Sequence, residues 1–385
     1  MNKKTFNAAR LEMALSYNEY SLKDLAEKID HPRQTLSNYK NGREKNPNPY
    51  IIQKVSDELG FPVSFFYEDD SNVVLGSTYF RALLTTNKKY RNQQVLKMSL
   101  LSQIYILLSR YIRFPVFVPP TLSCDVSPDE AAHQLREHWS LGNKPIENMI
   151  FVVEDKGIPV TTFTTPTDAI DAFSQMIYIN DSCLYLLGLS SNKTSAARIH
   201  FDVAHELGHI MLHEWREDIE ELDKMEFRKR EQEAHAFAAA FLLPPDSFLS
   251  DIRGRDLTIP YYTHLKSKWK VSIAAMARRA WNLGVTSYDD YQNMMRVLQR
   301  RGLRKDEPLD DSLITSKPTL LKTAVQMLLD EKIFTPKELV DELAYSCNLS
   351  LDASVIEELL NLPKNTLSEK APKHNLRLIK KGGEY

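Results

Sequence analysis

The feature that most constrains this chain is a pair of histidines one helical turn apart, in His205-Glu206-Leu207-Gly208-His209. Residues four apart stand on one face of an α-helix, so both imidazoles can reach one metal ion. Ala204, Leu207, Ile210 and Met211 make that helix mostly apolar. Two polar rings are costly there unless they share a partner. The spacing predicts a helix over 195–213 that carries a divalent ion, with Zn2+ expected. Glu206 lies between the two histidines and can reach an open position on the metal. Zinc acidifies a water placed there, so the carboxylate can take its proton and pass it to a leaving amine.

Catalytic zinc has three protein ligands and a solvent position, whereas structural zinc is closed by four. A second helix is expected over 227–243, ending at Pro244-Pro245, and its acids Glu231 and Glu233 are candidates for the third ligand. Glu231 is favoured, with Glu233 next. His235 follows Glu231 by one turn and reads as a supporting group behind the ligands. His213 extends the stripe but lies two turns from His205, too far to share an ion on a straight helix. It reads as a supporting or terminal-turn histidine. The longer motif with a third histidine at position 215 is excluded, because that residue is Trp215.

The N-terminal 70 residues read as a run of short helices. Ser21 with Asp24 forms a capping-box pattern, Pro32 suits a helix start, and Gly42 and Gly60 suit helix ends. Leu25, Ala26, Ile29, Leu36 and Tyr39 predict a small core. The helix beginning near Arg33 is then free to present Arg33, Gln34, Ser37 and Asn38 to a DNA major groove. Lys40, Arg43 and Lys45 supply local charge for phosphates. Residues 1–70 carry no net positive charge, so a dimerisation module that has lost DNA binding is the competing reading. A lone domain of this kind binds weakly, so a homodimer or a second contact surface is expected.

The chain has 385 residues, enough for two or three domains, and a net charge of −2 that points to no polyanion by itself. The expected division is a helical domain over 1–70, a basic helical linker over 71–115, a domain built round the metal motif over 116–250, a helical extension over 251–310, and a helical C-terminal region over 311–385 with a floppy basic tail. The linker holds no Asp or Glu. It reads as a solvated helix, with phosphate contact as the alternative. Short strands are expected over 150–154, 158–163, 175–179 and 184–187, able to lend an edge to an extended peptide. The fold class is α+β, predominantly helical, with an all-α N-terminal domain and a short sheet beside the metal helices. No apolar stretch is long enough to span a membrane and the N-terminus lacks a secretory pattern. Three scattered cysteines fit a reducing cytoplasm.

The segment from Arg198 through His205, Glu206, His209 and His213, followed by Glu231, Ala234, His235, Phe237 and Leu243-Pro244, resembles the ImmA/IrrE family of zinc metallopeptidases. Upstream, Trp139 to Pro145 and Val153 to Ile158 resemble it too. Leu265 to Ser272 and Gly302 to Pro308 fit its longer, repressor-fused members. His235 departs from the family, which more often has Asn there. The segment Leu22 to Gly42 resembles a lambda-repressor-like helix-turn-helix. The resemblance implies that His205, His209 and Glu231 hold zinc and that Glu206 is the catalytic base. It implies a regulatory endopeptidase that binds double-stranded DNA and cleaves a repressor-like partner, or itself, in a stress, phage or mobile-element response. The rival reading is a transcription regulator or antitoxin whose zinc is structural or sensory.

Overall fold

The computed structural model describes residues 5–69, 74–80, 88–123, 125–164, 172–179, 182–192, 195–215 and 222–368. The fold is α+β and mainly helical. The N-terminal helices are α1 (Ala8–Tyr17), α2 (Leu22–Lys28), α3 (Arg33–Lys40) and α4 (Pro49–Leu59), closed by a 3-10 turn, Val63–Tyr67. Strand β1 (Val74–Phe80) and helix α5 (Lys88–Leu108) follow, then α6 (Pro128–His138), α7 (Met149–Asp155), β2 (Val160–Phe163), β3 (Ala172–Ile179) and β4 (Ser182–Ser190). The metal-motif helix is α8 (Ala196–Leu212) and its partner is α9 (Lys224–Leu242). Beyond them come α10 (Pro245–Ile252), α11 (Ile259–Trp269), α12 (Ile273–Asn282) and α13 (Tyr288–Arg300). The C-terminal helices are α14 (Leu320–Asp330), α15 (Pro336–Cys347) and α16 (Ala353–Leu359).

Among the described residues, four strands form one sheet in the order β1-β3-β4-β2. β2 runs parallel to β4, while β3 is antiparallel to both β4 and β1. Successive side chains on a strand face opposite ways, and the sheet uses this to divide two apolar cores. Phe173, Ile177, Leu184 and Leu186 pack with α1, α5 and the C-terminal helices. Ala172, Met176, Leu187 and Leu189 pack with α8, α9 and α12. The sheet is thus a wall, with α8 and α9 on one face and the N-terminal domain and α5 on the other.

The segment 150–154 is not a strand. Asn148 caps α7 by accepting from the Phe151 amide, and Met149, Ile150, Val153 and Glu154 are buried at helical spacing. A five-residue apolar run does not distinguish the two structures by periodicity. The basic stretch after residue 70 is not a solvated helix either. It supplies β1 and α5, whose Met98, Leu100, Leu101, Ile104 and Leu108 are buried. Of its basic residues, Lys97 is buried and bonded to Glu358 at 2.7 Å. Arg81 and the side chain of Lys88 lie outside the described residues, as do Cys124 and the tail beyond residue 368.

The C-terminal helices tie the N-terminal domain to the sheet. The Glu68 carboxylate accepts from the Ser350 amide (2.9 and 3.0 Å) and hydroxyl (2.5 Å). Glu358 accepts from Tyr17 Oη at 3.0 Å as well as from Lys97. The Thr161 hydroxyl on β2 donates to the Leu359 carbonyl at 2.8 Å. Among the described residues no helix is long and apolar enough to cross a membrane.

Candidate metal centre and nucleic-acid interface

α8 is buried almost all round, against the sheet, α7 and α9. Its close approach to α9 depends on Gly208: a Cβ there would lie 3.1 Å from both the Cα and the carbonyl oxygen of Ala234. α9 starts at Asp223, whose carboxylate accepts from the Met225 and Glu226 amides. The turns that follow bring its acids level with the histidines. His205 Nε2 and His209 Nε2 lie 3.1 Å apart. Glu231 places one carboxylate oxygen 3.4 Å from the first and the other 3.2 Å from the second. His205 and His209 are buried, and the Glu231 side chain is 17% exposed.

Glu233, the other acid left open by the sequence, goes elsewhere. It contacts His213 Nε2 at 3.2 Å, and His213 Nδ1 faces His209 Nδ1 at 2.9 Å. His213 therefore backs His209 and does not enter the cluster. His235 Nδ1 bonds the Glu231 backbone carbonyl at 2.7 Å. His235 also offers a ring nitrogen within 4.8 Å of ligand atoms of His205 and Glu231. Glu206 is buried on the sheet side of α8, where its carboxylate accepts a 2.5 Å hydrogen bond from Ser174 Oγ of β3. Ser174 is a site residue that sequence reasoning misses. Its only signal is strand alternation, which sets it on the face opposite Phe173.

Burial lowers the His205 pKa to about 3, against the opposing pull of Glu231, so the ring is neutral at physiological pH. Burial pushes the Glu231 carboxyl up, but the hydrogen bonds it shares with His205 and His209 outweigh it and hold the group well below the usual carboxylate range. Two ring nitrogens and an ionised carboxylate thus converge on one point. Donors bound to one tetrahedral ion at about 2.1 Å are about 3.4 Å apart, and the observed separations are 3.1–3.4 Å. The residues fit a zinc-sized divalent ion.

The N-terminal domain builds a second surface. Leu25, Ala26, Ile29, Leu36 and Tyr39 are buried. Ser21 and Asp24 form the capping box of α2. α3 then carries Arg33 and Gln34 exposed, with Ser37 and Asn38 half-buried beside them. Gln34 and Asn38 share a hydrogen bond at 3.3 Å. Arg43 and Lys45 are exposed, whereas Lys40 is held by Glu12 at 3.0 Å. The surface therefore has Arg33, Gln34, Ser37 and Asn38 on one helix face, with Arg43 and Lys45 just beyond the end of that helix.

Comparison with known families matches two stretches of the chain. Residues 153–280 match the IrrE N-terminal-like domain model of the Peptidase_M78 family, which spans α8, α9 and the strands beside them. Residues 18–66 match the helix-turn-helix model. No curated protein matches the chain. The chain is a fusion of an N-terminal helix-turn-helix domain with an IrrE-like Peptidase_M78 domain.

Proposed function

We propose that this protein is a DNA-binding regulatory zinc endopeptidase that hydrolyses a peptide bond in a repressor-like partner or in another copy of itself. The observation that carries the reading is the convergence of His205 Nε2, His209 Nε2 and the Glu231 carboxylate, with Glu206 on the same helix. His205, His209 and Glu231 hold zinc, and zinc supplies Lewis acidity toward water and a peptide carbonyl. Glu206 takes a proton from the attacking water at its carboxylate and gives it to the departing amine. Ser174 fixes the carboxylate by its 2.5 Å bond. His213 and Glu233 hold the His209 ring in place. Arg33, Gln34, Ser37 and Asn38 read bases, and Arg43 and Lys40 meet phosphates, so that cleavage acts where the protein or its substrate sits on DNA, in the cytoplasm.

One observation favours a second reading. His235 lies within 4.8 Å of ligand atoms of His205 and Glu231. If it closes the metal as a fourth ligand, zinc is structural or sensory and the protein is a regulator only. Metal analysis together with a Glu206→Gln variant separates the two. The peptidase reading expects equal zinc in both proteins and cleavage of a co-expressed partner by the wild type alone. Equal zinc with cleavage by neither protein supports the regulator.

A further inference from the structure

β3 is the strand that reaches the reacting centre, because Ser174 bonds Glu206. An extended peptide that added to the free edge of β3 would lie beside that carboxylate, with backbone hydrogen bonds giving affinity. In this chain that edge is not free. β1 pairs with it antiparallel, with Tyr79 opposite Ser174 and Phe80 opposite Phe173. β1 comes from the connection between the helix-turn-helix domain and α5.

We propose that β1 is a built-in occupant of the peptide-binding edge: Val74–Phe80 holds the place on β3 that a substrate strand must take, so the resting chain is closed and opens when β1 leaves. The inference rests on the peptidase reading of the site and names how its substrate binds, as an extended segment that pairs with β3. The pairing is built to be broken. The register shifts between Leu75 and Thr78, where Gly76 and Ser77 fall, and a bulge with an interior glycine weakens a strand. β3 pairs with β4 on its other side in unbroken register.

The test uses the full-length Glu206→Gln protein, with residues 74–80 replaced by a Gly/Ser segment of equal length. The probe is a fluorescein-labelled peptide with the sequence of residues 72–82, read by anisotropy, together with amide hydrogen exchange of β3. A tethered strand competes at an effective concentration near millimolar, so its removal is expected to tighten peptide binding by roughly tenfold or more. Exchange at Ala172–Ile179 is expected to speed up in the replaced chain and slow again with peptide. Should the replacement fail to fold, Thr78→Pro weakens the same ladder in an otherwise intact chain. Equal peptide binding by parent and variant, or binding that leaves β3 exchange unchanged, overturns the proposal. Hydrolysis is absent from every arm, so a failure of the peptidase reading shows itself separately, in the cleavage assay.

Discussion

Ser174 Oγ and the Glu206 carboxylate meet at 2.5 Å, and this bond joins the sheet to the metal helix at the point where proton transfer is assigned. The bond gives Glu206 one orientation within a buried setting. Ser174→Ala is expected to leave zinc content unchanged and to lower kcat/KM by about tenfold, the value of one such hydrogen bond. Glu206→Gln is expected to lose roughly 100-fold or more. Zinc analysis beside steady-state kinetics on a cleaved peptide checks both.

Gly208 sets the distance between the two metal helices. A methyl group there would press on the Ala234 backbone at 3.1 Å. Gly208→Ala is expected to push α9 outward and draw Glu231 away from the histidines. The outcome is weaker zinc binding, by about tenfold or more, measured by competition with a chelating dye, with a stability loss of about 1–3 kcal/mol for overpacking.

The metal helices are legible in the amino-acid sequence because their information is local. His205 and His209 share a face by spacing alone, and the Pro244-Pro245 stop and the apolar runs give the helix lengths. What stays hidden depends on tertiary packing. Glu231 and Glu233 are two residues apart, and only the packing of α8 on α9 decides which meets the histidine pair and which meets His213. Ser174 lies on a strand remote in sequence, so no spacing announces it. The apolar run before Glu154 reads as a strand because five residues carry too little periodicity, and the Asn148 cap decides for helix. The basic stretch reads as solvated when charge is weighed above the apolar stripe of α5, which the C-terminal helices cover.

His200 gives a pH signature separate from the metal cluster. It is buried between Thr315 and the start of α7. Burial, with help from Lys270, lowers its pKa from the ordinary 6.5 to about 4. The unfolded chain therefore binds a proton that the folded chain refuses. The stability contributed by the neutral ring is present above pH 6.5 and is lost as pH falls from there toward 4. Urea midpoints at pH 7 and pH 5 are expected to differ by less in His200→Gln than in wild type, the difference amounting to a few kcal/mol at most.

Glu358 binds both Tyr17 of α1 and Lys97 of α5. Glu358→Ala leaves the Lys97 ammonium buried without its carboxylate. The expected cost is about 1–3 kcal/mol, read as a lower thermal midpoint. The double variant Glu358→Ala with Lys97→Met is expected to recover part of it.

On the DNA surface, Arg33→Ala with Gln34→Ala is expected to abolish specific operator shifts at matched salt while non-specific binding persists. Lys40 is already paired with Glu12, so Lys40→Ala is expected to weaken binding less than Arg43→Ala. Gel shifts across a salt series distinguish these outcomes.

Zinc-dependent peptide hydrolysis is tested most squarely by single-turnover digestion of a proteome-derived peptide library with zinc-loaded wild type and Glu206→Gln. Zinc stoichiometry and new N-termini are read on the same samples. One zinc per chain is expected in both proteins, and new N-termini with the wild type alone. One zinc in both, with no new N-termini from either even after replacement of residues 74–80, contradicts the peptidase and leaves a zinc-stabilised DNA-binding regulator.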